Sequence, residues 1–470
     1  MSTILRPASL LVFSLILCSC SANENTLLFN QPEQELPRSL PVDVVNHIVL
    51  QGGIISAIRN PFSTFQKGLS LSHNRALLLA SPLTDNIPAA GKAPTESIEA
   101  ALDRLNIPEP IPGKVDFLID GETFFPALHD AVGKASKSVE TRIYIFGNDK
   151  VATRYSDLLK KISPTVHCRV LMDELGSLAS WWEKKDPSQR TLRGGDSIID
   201  YLEADQSKVR VRKSRNPFFT TDHSKVIIVD GQTAFLGGMN IAHEYRYDWH
   251  DLMARVQGPI VTALQNDFNR AWRHQGGGGD WTIPFFIPQK FRKELRDNEI
   301  GIRVLKTGPH VTEIEDALIA AIRQSRKRIY LQNPYFTSGI IQQELIAAQK
   351  REVDVRVIFS EDNDSKLIGL NNQSVAKRFV ENGISTYLYP KFSHVKAIVV
   401  DDWTCLGSAN LDALSLLINA EVNIAFTDPK ATSTLVRDLF LTDFKKSKKL
   451  ERKDVKNWDD PLSETISKQL

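Results

Sequence analysis

The chain has few cysteines, no long apolar segment and almost no net charge, and each of these absences excludes a class of protein. It contains four cysteines in 470 residues. Cys168 and Cys405 each stand alone within an apparent strand, so neither a disulfide framework nor a zinc site is expected, and both are predicted to be buried. The 58 basic and 56 acidic residues leave a net charge of +2, which gives no overall attraction to nucleic acid. The sequence contains neither a phosphate-binding loop nor a dinucleotide-binding glycine pattern.

The N-terminus has the pattern of an export signal. Arg6 is followed by an apolar run at 10–17, which is too short to span a bilayer. The next residues, "LCSC" at 17–20, resemble the lipobox of bacterial lipoproteins, in which a cysteine becomes the lipidated first residue. We therefore predict a signal segment at 1–20 and an exported protein that is anchored to a bacterial membrane through Cys20 or is secreted. A plainly cleaved signal and an uncleaved short anchor are the alternatives.

Beyond residue 20 the chain divides into an irregular part and two regular parts. The irregular part is predicted to include one helix over 94–106, which starts after a capping-like Thr95. Strand-like and helix-like segments then alternate, as is typical of α/β domains with both faces of the sheet covered. A second such series repeats the first after about 160 residues, which indicates a duplicated domain. The predicted boundaries are 21–112 for an N-terminal extension, 113–275 for domain 1, 276–290 for a linker, 291–446 for domain 2 and 447–470 for a polar tail.

Each half contains a strand-like segment with the same polar residues at the same spacing. Residues i and i+2 of a strand project from one face, so each histidine is expected to point in the same direction as its lysine. An imidazole and an ammonium group are costly to bury without partners, which makes two such copies hard to explain as coincidence. The copies are "DHSKVIIVD" at 222–230, with His223, Lys225 and Asp230, and "SHVKAIVVDD" at 393–402, with His394, Lys396 and Asp401.

Two further elements follow each copy at matching distances. Small residues and an asparagine come next, as "GGMN" at 237–240 and "GSAN" at 407–410, where the backbone can approach a ligand closely. Asp251 then lies 28 residues after the first histidine, and Glu421 lies 27 residues after the second. The turn of the second copy is one residue shorter, which accounts for the difference. Each histidine thus has a candidate carboxylate in its own copy of the repeat to fix its tautomer.

Two copies of His-x-Lys-x4-Asp, each followed by Gly-Gly/Ser-x-Asn, strongly resemble the phospholipase D superfamily over about residues 113–445. The stretches "YIFGND", "GGMNIAHEY", "LKTGPH", "QNPYF" and "GSANLDALSLLINAE" are similar to bacterial cardiolipin synthases and phospholipase D-like proteins. The resemblance implies two fused phospholipase D-like α/β domains, each a mixed sheet flanked by helices, with a pseudo-twofold relation and one active site between them. The chain departs from many cardiolipin synthases at Leu414, where they carry an arginine, and in lacking their paired N-terminal transmembrane helices.

The resemblance also implies a catalytic centre that uses neither metal nor cofactor. One histidine attacks phosphorus to form a phosphohistidine, and the other protonates the leaving alcohol. The expected nucleophile is His223 and the expected acid is His394. Lys225 and Lys396 would hold the non-bridging oxygens of an anionic phosphodiester.

Further residues are predicted to support this centre. Asn240, Asn410 and Ser408 would add hydrogen bonds to the phosphate as charge shifts in the transition state. The carboxylates of Asp251 and Glu421 would orient the two imidazoles. The motif aspartates, Asp230 and Asp401, are counted with the catalytic motif but are expected to cap turns or to bond backbone.

The predicted function is that of an enzyme acting on membrane phospholipids, either a phospholipase D-type phosphodiesterase or a phosphatidyltransferase of the cardiolipin synthase type. A nuclease or other phosphodiesterase of the same superfamily is the alternative enzyme, although nucleic acid is not the expected partner. A non-catalytic, lipid-binding exported protein is the alternative of another class, and the two intact motifs argue against it. Aromatic clusters at 181–182, 218–219 and 281–291 are candidate lipid contacts. The sequence does not predict the oligomeric state.

Overall fold

A computed structural model describes residues 56–80, 94–177, 197–216 and 220–458 of the chain. The predicted signal segment with Cys20, and the aromatic pairs at 181–182 and 218–219, lie outside the described residues. Within those residues, no helix has both the length and the apolar character needed to cross a bilayer.

Among the described residues, three helices precede the first strand. The third of them begins after Ser97, whose hydroxyl accepts a hydrogen bond from the amide of Ala100 at 3.2 Å and so caps the helix. The predicted helix over 94–106 is therefore confirmed, but its cap is Ser97 and not Thr95. The three helices are α1 (Ser56–Arg59), α2 (Pro61–Ala80) and α3 (Ile98–Arg104).

The first lobe is a mixed sheet covered by helices. Its strands are β1 (Ile111–Ile119), β2 (Ser138–Ile143), β3 (His167–Asp173), β4 (Arg210–Ser214), β5 (Val226–Val229), β6 (Thr233–Gly237) and β7 (Leu252–Gln257). They lie in the order β1-β7-β6-β5-β2-β3-β4, with β2, β3 and β4 parallel and the other pairs antiparallel. The helices are α4 (Gly121–Gly133), α5 (Lys150–Ile162), α6 (Ile198–Glu203), α7 (His243–Tyr247) and α8 (Pro259–His274).

A 3₁₀ helix at Gly279–Phe285 occupies the predicted linker, and the second lobe then repeats the topology of the first. Its strands are β8 (Ile300–Gly308), β9 (Val311–Thr312), β10 (Arg328–Gln332), β11 (Asp354–Ser360), β12 (Ser385–Tyr389), β13 (Ala397–Val400), β14 (Trp403–Gly407), β15 (Glu421–Thr427) and β16 (Lys448–Lys449). The order β8-β15-β14-β13-β10-β11-β12 matches that of the first lobe strand for strand. The helices are α9 (Glu313–Gln324), α10 (Gly339–Lys350), α11 (Lys366–Glu381), α12 (Ala413–Leu417), α13 (Pro429–Leu435) and α14 (Leu441–Lys446), with a π-helical turn at Val436–Phe440 between the last two.

The two lobes share one sheet and one apolar interface. β1 pairs antiparallel with β8, with Ile111 opposite Ile302 and Gly113 opposite Ile300. Each lobe has its own core. A third cluster of buried apolar residues contains members of both lobes, such as Val226 of the first and Val399 of the second. The predicted pair of fused α/β domains is therefore confirmed.

Parts of the chain outside the predicted domain limits complete the second lobe. Ala101 and Leu102 of α3 are fully buried in its core. Arg303, which is 1% exposed, forms ion pairs with Glu99 and Asp103 of the same helix at 2.7 and 2.6 Å. The second lobe thus includes residues from the predicted N-terminal extension.

The predicted polar tail also belongs partly to the second lobe. β16 pairs with β12, and Leu450 and Val455 are buried in the same core. Strongly charged residues surround these two apolar anchors, which is why the segment resembles a tail in the sequence. The two internal cysteines, Cys168 and Cys405, are buried and unpaired, as predicted.

Candidate active site

Both motif histidines lie at the lobe interface, immediately before their strands. His223 and Lys225 precede β5, and His394 and Lys396 precede β13, so the prediction that they lie within these strands is wrong by a few residues. Their backbone is occupied instead by contacts with the other lobe. The amide of His223 donates to the carbonyl of Ala420 at 2.9 Å, and the amide of His394 donates to the carbonyl of His250 at 2.7 Å.

Each of these contacts is part of an isolated parallel β-bridge between the lobes. Asp222 bridges to Ala420, and His250 bridges to Ser393. The residue after Ala420 is Glu421 and the residue after His250 is Asp251. The bridges therefore place each predicted carboxylate beside the histidine of the opposite lobe.

The carboxylate contacts are crosswise as a result. Nδ1 of His223 lies 2.7 Å from Oε1 of Glu421, and Nδ1 of His394 lies 2.8 Å from Oδ2 of Asp251. The structure thus corrects the expectation that each histidine takes the carboxylate of its own repeat. Because Nδ1 of each ring is held in this way, Nε2 is the nitrogen left to meet a substrate.

The two lysines converge on the same place. Nζ of Lys225 donates to the carbonyl of His223 at 2.7 Å, whereas Nζ of Lys396 lies 2.9 Å from Nε2 of His394 and 3.0 Å from its carbonyl. Both side chains are buried. Burial lowers the pKa of Lys225 to about 7 and that of Lys396 to about 8, although Glu421 and Asp251 oppose this change. Two ammonium groups held at such a cost are suited to an anionic ligand.

Burial also changes the pKa values of the two histidines and of their carboxylate partners. It lowers the pKa of both imidazoles well below the ordinary value, and the positive charges of both lysines lower it further. His223 itself contributes to the lowered pKa of His394, so the two rings lie within electrostatic reach of each other. The pKa of Asp251 rises to about 7 and that of Glu421 to about 8, chiefly because burial disfavours the ionised form. Neutral imidazoles that donate through Nδ1–H are the state this environment favours.

The predicted phosphate ligands differ in how they are placed. Oδ1 of Asn240 accepts from the amide of Ile145 at 3.0 Å, and its buried Nδ2 has no partner among the described residues. Oδ1 of Asn410 is likewise buried without a partner among them. The hydroxyl of Ser408, in contrast, donates to Oε2 of Glu421 at 2.5 Å. Ser408 therefore supports the carboxylate behind His223, which differs from its predicted contact with phosphate.

The equivalent position in the first lobe is Gly238. A Cβ atom there would overlap Oδ1 of Asp251, so the carboxylate behind His394 can approach only a residue without a side chain. The two halves of the site thus hold their carboxylates differently, through a serine hydroxyl in one and through a close glycine backbone in the other.

The motif aspartates have a structural placement. Asp230 has φ 55° and Asp401 has φ 53°, and both lie at the far ends of their strands. Asp230 accepts hydrogen bonds from the amides of residues 136–138, and Asp401 accepts them from the amides of residues 326–328. Each aspartate therefore fixes the loop that leads into the neighbouring antiparallel strand, in keeping with the expected turn-capping role.

His250 is an additional buried histidine that the motif pattern does not reveal. Its Nδ1 lies 2.7 Å from Oδ1 of Asp120 in the first lobe, and its Nε2 lies 2.8 Å from Oδ2 of Asp443 in the second. Burial alone would lower the pKa of His250, but the hydrogen bonds and charges of the two aspartates outweigh it and raise the pKa to about 9. The imidazolium also stacks on Tyr389 at 4.7 Å. A cationic clamp thus joins the lobes next to Asp251.

Aromatic rings line the two imidazoles. Tyr144 meets His223 edge to face at 4.7 Å, and Tyr245 and Trp249 lie 5.4 Å from His394. These rings restrict the motion of the imidazoles and exclude water. Tyr144 and Tyr245 belong to the "YIFGND" and "GGMNIAHEY" stretches, so the signal for them is present in the sequence even though no role was predicted.

Comparison with known proteins places this geometry in a family. The family model described as "Cardiolipin synthase, PLD-like domain" matches residues 128–272 and 318–442, which together exceed half of the chain and include both motifs. The chain belongs to this family. The prediction of a phospholipase D or cardiolipin synthase-like phosphodiesterase or transphosphatidylase is thereby confirmed.

Individual proteins that are similar to this cardiolipin synthase-like family member support the same family assignment. The protein named "Probable cardiolipin synthase YwiE" of Bacillus subtilis (strain 168) is 29% identical over 368 residues, which cover 76% of this chain and 70% of that protein. A cardiolipin synthase of Clostridium perfringens (strain 13 / Type A) is 28% identical over 344 residues, 70% of each chain. The crystal structure of phosphatidylserine synthase from Haemophilus influenzae Rd KW20 matches with a TM-score of 0.60 at 14% identity, over 79% of this chain and 96% of that one. That likeness shows the shared fold.

Proposed function

We propose that the chain is a phosphatidyltransferase that acts on phospholipids through a phosphohistidine intermediate. The relatives named cardiolipin synthases support the reaction class and the substrate. The observation that carries the proposal is the pairing of two histidines, each held by a carboxylate of the opposite lobe at 2.7 and 2.8 Å, with two buried lysines beside them. Such a site attracts a phosphate diester and offers it two imidazoles.

The first half of the reaction would use the rings in different roles. Nε2 of His223 attacks phosphorus, the P–N bond forms, and the bond from phosphorus to the headgroup oxygen breaks. His394, protonated once the anionic substrate has raised its pKa, gives its Nε2 proton to the departing alcohol. The contact between Nζ of Lys396 and Nε2 of His394 supports this assignment, since it places a proton donor on the ring that must become the acid. Asn240 and the two lysines would meet the non-bridging oxygens.

The second half returns the enzyme to its starting state. An incoming alcohol loses its proton to His394 as its oxygen attacks phosphorus, and the P–N bond to His223 breaks. If that alcohol belongs to a second lipid, the product is a larger phospholipid, whereas water in the same place yields phosphatidic acid. Glu421 and Asp251 stabilise the charge that develops on each ring.

Product analysis tests the reaction. Purified protein is incubated with phosphatidylglycerol, with and without an added alcohol. Cardiolipin or a new phosphatidyl-alcohol is the expected product, and phosphatidic acid alone would replace the transferase by a hydrolase. Cleavage of single-stranded DNA without any lipid conversion would contradict the proposal and favour a nuclease.

The assignment of the two histidines has its own test. A substrate with a p-nitrophenol leaving group needs little help from an acid, so His394→Gln is expected to release one equivalent of p-nitrophenol in a rapid burst, whereas it should release almost no alcohol from an alkyl phosphodiester. His223→Gln is expected to react with neither substrate. The exposed His167 provides the matched control, His167→Gln. The opposite pattern for the two variants would reverse their roles, and normal activity in either would end the two-histidine mechanism.

We further propose that the protein is exported and lipid-anchored through Cys20, on the strength of the lipobox-like "LCSC" sequence. Cys20→Ser is expected to abolish lipid modification of the mature N-terminus in mass spectrometry of the protein isolated from a bacterial host. An unmodified wild-type N-terminus would contradict this proposal.

A further inference from the structure

The most exposed apolar surface of the described residues lies outside the histidine site. Helices α1 and α2 turn outwards four apolar side chains that are between 50% and 74% exposed. Their spacing along the chain puts them on one helical face. They are Ile58, Phe62, Phe65 and Leu69.

A neighbouring segment extends this surface. Around the 3₁₀ helix at Gly279–Phe285, three side chains are 61% to 87% exposed, namely Trp281, Phe285 and Ile287. The rings of Phe62 and Trp281 meet edge to face at 5.6 Å, so the two groups form one surface. We call these seven side chains the apolar ledge.

The ledge is held in place by polar contacts on its inner side. Asp280 accepts hydrogen bonds from the amide and the hydroxyl of Ser63 at 2.8 and 2.6 Å, and its own amide donates to Asn60 at 3.0 Å. Further along α2, Nζ of Lys67 donates to Asn216 at 2.6 Å. The first turns of α2 thus direct the polar Ser63 and Lys67 towards the protein and three apolar side chains outwards, the reverse of an ordinary surface helix. A fixed apolar face of this kind indicates an apolar occupant.

Three arginines lie beside the ledge and favour an anionic occupant. The guanidinium groups of Arg270 and Arg273 lie over the ring of Phe286 at 5.8 and 5.6 Å. Arg59 stands in α1 beside the ledge, and its charge, with that of other arginines, adds to the effect of burial in lowering the pKa of Arg212. This local excess of positive charge would oppose the approach of a second copy of the chain at the same surface, whereas an anionic lipid surface would neutralise it.

The helix that carries part of the ledge interacts electrostatically with residues next to His223. Burial lowers the pKa of Lys67 to about 8, and the negative charges of Asp222 and Asp173 act against that change. Asp222 is the residue before His223, and its amide donates to Asp173 at 2.8 Å. The inner side of α2 therefore lies within electrostatic reach of the residue that precedes the first histidine.

We propose that the apolar ledge is the surface by which this protein docks on an anionic phospholipid bilayer. The side chains enter the acyl boundary, while the flanking arginines meet lipid phosphates, as in interfacial amphipathic helices. The proposal rests on the proposed function in one respect, since docking would bring substrate lipids to the histidine site.

Vesicle binding tests the ledge independently of catalysis. The wild-type chain is mixed with vesicles of phosphatidylcholine alone or with about one third phosphatidylglycerol, and bound protein is measured by flotation. Binding is expected to be stronger on the anionic vesicles and to weaken with added salt. Replacing two ledge aromatics in Phe65→Ser/Phe285→Ser is expected to weaken binding by about 100-fold, or about tenfold for each partly inserted ring. Ile340→Ser/Leu370→Ser, which changes two exposed apolar residues of the second lobe, is expected to bind as the wild type does.

Activity measurements separate this proposal from the function. The ledge variant is expected to lose turnover of vesicle lipid but to keep turnover of a dispersed short-chain phospholipid. If no lipid is converted by any variant, the proposed function fails while the vesicle result still decides the ledge. Wild-type binding by the ledge variant would overturn the docking surface. So would a wild-type dimer in sedimentation that the ledge variant dissociates, because the occupant would then be a second chain.

Discussion

Replacing His250 with glutamine is expected to remove a pH-dependent part of the stability of the lobe interface. The imidazolium lies between Asp120 and Asp443, and its pKa is raised from 6.5 to about 9. A pKa raised in the folded state stabilises the protein fully below the unfolded value, and the contribution is lost as pH rises through the folded value. The window therefore runs from about pH 6.5 to about pH 9. The difference between the two pKa values corresponds to about 3 kcal/mol.

The measurement compares unfolding free energies from reversible urea titrations across pH 6 to 10. The advantage of wild type over His250→Gln is expected to be largest near pH 6 and to shrink by about 3 kcal/mol towards pH 10. Because the lysines and carboxylates that titrate in this pH range are present in both proteins, their contributions to the free energy of unfolding cancel in the difference. His167→Gln, at an exposed histidine, should show no such trend. An advantage that stays constant with pH, or grows at alkaline pH, would refute a charged His250.

Three further predictions concern the site and its supports. Because the carboxylates are crosswise, Glu421→Gln is expected to slow attack by His223, and Asp251→Asn to slow protonation by His394. Both should cost about tenfold or more in kcat, but only with Asp251→Asn should a p-nitrophenyl substrate restore the rate of the initial burst, and equal restoration in both variants would contradict the crosswise pairs. Ser408→Ala is expected to lower kcat/KM by about tenfold, because it removes one hydrogen bond. Gly238→Ala is expected to lower kcat/KM by more, because the added Cβ overlaps Asp251, and a larger loss in Ser408→Ala in steady-state assays would count against these contacts. Asp401→Ala is expected to reduce the free energy of unfolding by about 2–3 kcal/mol and to leave turnover intact at low temperature. Asp401→Asn should reduce the free energy of unfolding by less, whereas a direct catalytic role of Asp401 would instead abolish turnover in a stable protein.

The repeat, the alternation of strands and helices in each half and the motif residues follow from local patterns in the sequence. Runs such as "VIIV" and "AIVV" are fully buried strands, as their apolar character predicts. The turn-capping role of Asp401 follows from its place after such a run. These features depend on neighbours in sequence, which the pattern contains.

Local sequence patterns do not predict the contacts between the two lobes. Spacing alone predicts that Glu421 is the partner of His394, but the bridge between Asp222 and Ala420 makes Glu421 the hydrogen-bond partner of His223. In a pseudo-twofold arrangement both pairings are consistent with the same spacing, so only the packing of the lobes decides. The local sequence likewise predicts that the hydroxyl of Ser408 meets phosphate, because nothing nearby in the sequence shows that it donates instead to a carboxylate of β15.

The attachment of α3 to the second lobe has a consequence for biosynthesis. This helix leaves the ribosome before any part of the first lobe, yet Arg303, the residue its carboxylates neutralise, is made only after that lobe is finished. Domains that are complete in sequence can fold as they emerge. Here an early segment must wait unpartnered through the whole first lobe, and a fragment that starts at residue 291 would bury a guanidinium with no counter-charge from that helix.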